Sequence, residues 1–128
     1  MSIQTLKKYV LPKKERLCSR TLIRQLFAEG KSVQSYPLKM LYLPCETLPS
    51  WQVLVSVPKR NFKRAVHRNR IKRLLRENYR LTKHSINSLF TGNYIIAFIY
   101  LGKEMPDFSL VENKMNACIE KWHATQQN

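Results

Sequence analysis

Acidic residues are scarce in this chain. Eight Asp and Glu stand against 23 Lys and Arg over 128 residues, a net charge of +15. The eight, Glu15, Glu29, Glu46, Glu77, Glu104, Asp107, Glu112 and Glu120, are scattered, and no pair of them flanks the most basic stretch. Metal-dependent nucleases need clustered carboxylates to hold their ions. His67 and His84 have no carboxylate or lysine constellation around them. A self-sufficient nuclease site is therefore not expected, nor any catalytic or metal-ligating residue in this chain. Cysteine is also sparse: Cys18, Cys45 and Cys118 are odd in number, far apart and form no CxxC. That spacing gives neither a zinc site nor a disulfide framework, and reduced thiols in a cytosol fit it best. Long apolar runs are missing as well. The longest, Tyr94 to Leu101, is far too short to span a bilayer, and no apolar stretch of signal-peptide length follows the first lysines. The expectation is a cytoplasmic protein with no membrane partner.

What remains is enough for one domain. Hydrophobic residues make up 44% of the chain, which supports a real core at this length and separates it from a disordered polycation. The charge excess costs self-repulsion in the folded state, which an anionic partner relieves. Nucleic acid is the natural candidate.

Residues 1–18 carry Lys7, Lys8, Lys13, Lys14 and Arg16 around Pro12 and read as a mobile basic arm. A domain over 19–123 and a short tail over 124–128 follow. A first helix is expected from about Thr21 to Glu29, capped by Ser19 or Thr21 and ended by Gly30. Leu22, Ile23, Leu26 and Phe27 form its apolar face. Tyr36–Leu43 and Trp51–Val57 read as strands, joined through the Pro44–Pro49 stretch. A long helix is expected from Arg64 to about Thr82. Gly92-Asn93 breaks the chain before a third strand, Tyr94–Leu101. Pro106-Asp107 opens a last helix whose Phe108, Val111, Met115, Cys118, Ile119 and Trp122 recur at helical spacing, a core stripe and not a cofactor site. The result is an α+β single domain. A buried strand, a crossover helix and another buried strand predict that 51–57 and 94–101 pair in parallel.

The positive charge is regional. Eleven basic residues fall between Lys59 and Lys83, with Glu77 as the one acid among them, whereas His84 to Asn128 carries three lysines against four acids. At about 100° per residue, Asn69, Lys72, Arg73, Arg76, Arg80 and Lys83 share one helix face. Arg68 and Arg70 flank it, and Ile71, Leu74, Leu75 and Asn78 lie opposite. Like charges at i and i+4 destabilise a helix by a few tenths of a kcal/mol per pair, roughly. A solvated helix face usually mixes signs, so this one points to a polyanion. Arginine forks bind phosphate oxygens bidentately and stack on bases. Asn69 could read a base edge or a ribose hydroxyl, or make a local cap near the helix start.

Ala65-Val66-His67-Arg68-Asn69-Arg70-Ile71-Lys72-Arg73-Leu74-Leu75-Arg76-Glu77 resembles the signature helix of the bacterial ribonuclease P protein subunits. A basic arm, Arg16-Leu17, a helix ending Phe27-Ala28-Glu29-Gly30-Lys31-Ser32, and Lys59-Arg60 between strand and helix agree with it, so the resemblance covers about residues 16–122. It implies an αβββαβα-like order, a three- to four-stranded sheet packed with helices, and a left-handed βαβ crossover, against the usual right-handed norm. It also implies a function. A catalytic RNA with bound magnesium cuts one phosphodiester and releases the mature tRNA 5′ end. The protein, expected to be a monomer within the ribonucleoprotein, binds that RNA and the 5′ leader of precursor tRNA. The implied contacts to the catalytic RNA are Arg68, Asn69, Arg70, Lys72, Arg73, Arg76 and Arg80. Those to the leader are Phe27, Lys59 and Arg60. Read as a residue alone, Phe27 favours ordinary core over a leader contact. Two positions depart from the family pattern: Lys63-Arg64 stand where a glycine often precedes Ala-Val, and Ile23 where a second phenylalanine often stands. A strand tyrosine that can face the leader aligns with Leu41 or Tyr42. Composition alone leaves a second class open, a structural RNA-binding protein such as a ribosomal component.

Overall fold

The computed structural model describes residues 11–126 of the chain. A 3-10 turn at Lys13–Glu15 leads into helix α1 (Arg20–Glu29) and strands β1 (Lys31–Ser35), β2 (Leu38–Pro44) and β3 (Gln52–Ser56). Helix α2 (Ala65–Leu89), strand β4 (Tyr94–Tyr100) and helix α3 (Phe108–Gln126) complete the domain. The sheet runs β1-β2-β4-β3, with β1·β2 and β2·β4 antiparallel and β3·β4 parallel. The parallel pair is the one expected, with α2 as the crossover between its strands.

Alternation along the strands divides the sheet into two faces. Met40, Tyr42, Val53, Val55, Ile96 and Phe98 point to one side, where they pack with Ile71, Leu75, Tyr79 and Ile86 of α2 and Val111, Met115, Cys118 and Trp122 of α3. Leu41, Ile95 and Ala97 point to the other and meet Leu26 of α1 together with Leu17. One helix cannot cover a four-stranded face, and Leu54 and Ile99 remain half-buried there. Ser19 caps α1, its hydroxyl accepting the Leu22 N–H at 3.3 Å. Gly30 ends it, donating its N–H to the Leu26 carbonyl at 2.8 Å. A Cβ at Gly30 would collide with that carbonyl oxygen. At α3, which Pro106-Asp107 opens as expected, Asp107 accepts the Leu110 N–H at 2.8 Å.

Several boundaries differ from the sequence reading. The stretch read as one strand from Tyr36 begins with a turn through a cis Tyr36–Pro37 bond, and a separate edge strand, β1, precedes it. Its sequence, Lys-Ser-Val-Gln-Ser, is mostly exposed and carries no apolar alternation to read. Helix α2 extends seven residues past Thr82, because buried Ile86 anchors a last stretch of weak helix formers on the core. Pro44 is the last residue of β2, where the missing N–H is tolerated.

The largest correction concerns residues 11–18, read as part of a mobile arm. Leu11 and Leu17 are buried. Arg16 bridges to Val53 in parallel, and the Leu17 N–H donates to the Val53 carbonyl at 2.9 Å, extending the outer edge of β3. Residues 1–10 of that arm, and 127–128 of the tail, lie outside the described residues. Lys83 of α2 donates to both Glu15 carboxylate oxygens at 3.0 and 3.1 Å. With side-chain exposures of 20% and 13%, this pair is shielded enough to reach the upper end of ion-pair contributions. Glu15→Ala should cost about 1 kcal/mol, a fall in Tm of roughly 3–4 °C, measured by thermal unfolding at low salt. An unchanged Tm would mean that the pair holds nothing in place.

Candidate nucleic-acid interface

Helix α2 turns Ile71, Leu75, Asn78, Tyr79 and Ile86 inward. Leu74 is half-buried, and the Asn78 amide donates to the Leu74 carbonyl at 3.0 Å, which explains a buried asparagine in an apolar stripe. The opposite side is open. Asn69, Arg70 and Arg73 are exposed, and Lys72, Arg76 and Arg80 are half-buried along the flanks. Val66, His67, Asn69, Arg70, Arg73 and Arg76 line a shallow hollow of about 740 Å³. The six residues place arginine forks around an exposed apolar patch at Val66, a combination suited to phosphate and ribose together.

Asn69 caps nothing. The cap position of α2 is Arg64 and has no side-chain cap bond, and the Asn69 amide has no hydrogen-bond partner among the described residues. Of its two readings, the free amide is the one left. Arg68 is different. Its Nη1 donates to the carbonyls of Phe62 (2.8 Å) and Lys63 (2.9 Å), tying down the turn that enters α2. This leaves the Nε–Nη2 edge of the guanidinium for a ligand. Lys83 faces Glu15 and is neutralised within the fold. The pKa of Arg76 is lowered, first by burial and second by the guanidinium of Arg16 beside it.

Of the second group, Phe27 lies on the helix that covers the other side of the sheet. Phe27 is 52% exposed and is not core. Its neighbours in the helix, Leu22, Ile23 and Leu26, pack toward the sheet, which sets Phe27 at the margin of the α1 contact. Arg20 and Arg24, both exposed, share its side of the helix at spacings of seven and three. The sequence reading passed over them, although that spacing was the available signal. Lys59 and Arg60 are exposed just past the end of β3. The tyrosine ambiguity also resolves. Leu41 faces α1, whereas Tyr42 faces the opposite core, its ring centroid 4.6 Å from that of Trp122. No strand tyrosine from β2 reaches the α1 side. Phe27 is thus held on the α1 side of the sheet and the basic residues of α2 on the other, with Lys59 and Arg60 in the connection between β3 and α2.

No group of three or more His, Cys, Asp or Glu among the described residues is placed to hold a metal ion. Among the described residues, no helix is long and apolar enough to cross a membrane.

The family model for ribonuclease P matches residues 11–123 of the chain. The ribonuclease P protein component of Porphyromonas gingivalis is 46% identical over 110 residues, covering 82% of this chain and 80% of that one. That of Chlorobium phaeobacteroides is 34% identical over 131 residues, covering 91% and 86%. Among solved structures, the RNase P protein of Thermotoga maritima superposes with a TM-score of 0.68 at 26% identity, over 84% of this chain and 96% of that one. The protein from Staphylococcus aureus superposes at 0.72 and 20% identity, over 84% and 94%, and shares the fold. These matches decide between the two RNA-binding classes that composition left open: the chain belongs to the ribonuclease P protein family, the protein subunits of the endoribonuclease that matures tRNA 5′ ends.

Proposed function

We propose that the chain works as a monomer with two RNA surfaces of separate duty. The α2 face, through Arg68, Asn69, Arg70, Lys72, Arg73, Arg76 and Arg80, docks the catalytic RNA. The margin of α1, through Phe27, Lys59 and Arg60, holds the single-stranded 5′ leader of precursor tRNA. The exposed Phe27 ring is the observation that carries the second assignment. Leaving such a ring in water forgoes burial, and a nucleobase can stack on it while basic residues follow the backbone. Arg20 and Arg24 add charge on that same side. The first assignment is supported by the one-signed, exposed face of α2, where few local anions compete with RNA phosphates. Magnesium belongs to the RNA, which performs the hydrolysis. This chain positions substrate and screens charge, and the compartment that suits it is the cytoplasm.

Arg70 and Arg73 test the docking face cleanly, since both are exposed and neither supports the fold. Arg70→Ala with Arg73→Ala should weaken assembly with the catalytic RNA at least tenfold. It should also flatten the log–log salt dependence by roughly two units, about one per phosphate contact removed. Assembly titrations over a salt series read both quantities, and the loss should be the same for substrates of any leader length. An unchanged slope would remove α2 as the docking face.

A further inference from the structure

The docked segment before α1 has a consequence for RNA binding. Leu11 and Leu17 are buried, Arg16 is bridged to Val53, and Glu15 is held by Lys83. Lys83 stands seven residues after Arg76, two turns along the same side of α2. The segment therefore runs along the flank of α2 beside β3, and Arg16, paired in parallel with Val53, comes out on the α2 side of the sheet, where its charge acts on Arg76. Arg16 spends its Nε on the Leu11 carbonyl at 2.8 Å, leaving its terminal nitrogens. Arg76 makes no hydrogen bond or ion pair among the described residues. The nearby acids do not neutralise the two cations: Glu15 is engaged by Lys83, and Glu77 makes no ion pair among the described residues. Burial and the adjacent charge both act against the protonated form of Arg76. Two like charges brought together, one of them half-buried, oppose folding unless an anion joins them.

We propose that Arg16 and Arg76 form a clamp for one phosphate of the catalytic RNA, a site in which the segment before α1 and the basic helix act together. Glu15 is a positioning residue in it: it fastens the segment to α2 and withdraws Lys83 from the RNA. The proposal rests on the docking role of α2 for the identity of its ligand. Two planar forks on either side of one phosphate supply more donors than either alone, so the two arginines should be energetically coupled.

The test is a double-mutant cycle in the assembled ribonucleoprotein. Arg16→Ala and Arg76→Ala should each weaken assembly about tenfold. The double mutant should lose no more than about twice what the worse single loses, because one phosphate is lost in every case. Arg16→Gln keeps an amide donor for the Leu11 carbonyl and should lose as much as Arg16→Ala, which separates the clamp from the anchoring of the segment. Thermal unfolding of each variant confirms the fold first. Strictly multiplicative losses, or an Arg16→Gln variant that assembles like the parent, would overturn the clamp. A loss that appears only with long-leader substrates would overturn it too, since the phosphate would then belong to the leader. The Arg70→Ala, Arg73→Ala protein is the control: if it assembles poorly while the Arg16 variants do not, the clamp fails and the docking face stands.

Discussion

Phe27→Ala should leave the protein folded and selectively weaken its grip on precursor tRNAs with long 5′ leaders. The ring is 52% exposed, so its removal should change stability by no more than about 0.5 kcal/mol. Stacking of one base on an aromatic ring contributes about 1–3 kcal/mol, roughly a 5- to 150-fold change in affinity. Binding measured with a series of leader lengths should show that loss for leaders long enough to reach α1 and none for leaders of one or two nucleotides. Assembly with the catalytic RNA should be unaffected. Equal affinity of the variant and the parent for long and short leaders would remove Phe27 from the leader site. A loss independent of leader length would assign α1 to the other RNA.

The largest effect on stability is expected at Trp122. It is fully buried on α3, stacked on Phe90 with ring centroids 3.6 Å apart, and surrounded by Tyr42, Trp51 and Tyr94 at 4.6–5.7 Å. This aromatic cluster ties α3 to the end of α2 and to the sheet. Trp122→Ala should cost about 3–5 kcal/mol through lost burial and an unfilled cavity, a large share of the roughly 5–15 kcal/mol of an ordinary domain. The Tm should fall by about 9–20 °C. The indole N–H has no hydrogen-bond partner among the described residues. Trp122→Phe removes that buried donor along with part of the ring, so its loss should be clearly smaller. An equal loss for both variants would mean that the N–H is satisfied after all. Adding the catalytic RNA should raise the Tm of Trp122→Ala, because a ligand that binds only the folded state stabilises it.

The features legible in the sequence were those with a strong period or strong punctuation. The apolar stripe of α3, the Ser19 and Gly30 ends of α1 and the unbroken apolar run of β4 all read correctly, because each is specified locally. The basic face of α2 read correctly for the same reason. Strand β1 was invisible to periodicity and entered only through the αβββαβα order that the family resemblance implied: an exposed edge strand of polar residues is held by its ladder to β2, and no residue pattern records that ladder. The docking of residues 11–17 was equally hidden. Lysines and a proline resemble a loose arm, and what pins them is a distant partner, Lys83, together with the edge of β3. The family resemblance implied Arg68 as an RNA contact, and nothing in the sequence shows its second task. The two carbonyls that it holds are set by the turn at Phe62–Lys63, which only the fold defines. Phe27 could not be placed from its spacing, since Leu26 and Phe27 both suit the apolar side of α1, and the sheet takes Leu26.

The most direct measurement is reconstitution of precursor tRNA processing. The protein, freed of RNA by micrococcal nuclease, is assayed alone and then with the ribonuclease P RNA of its source at physiological magnesium. Cleavage at the mature 5′ junction should appear only when both components are present, because the eight scattered acids offer this chain no means of holding catalytic ions. Specific 5′ cleavage by the nuclease-treated protein alone would contradict it.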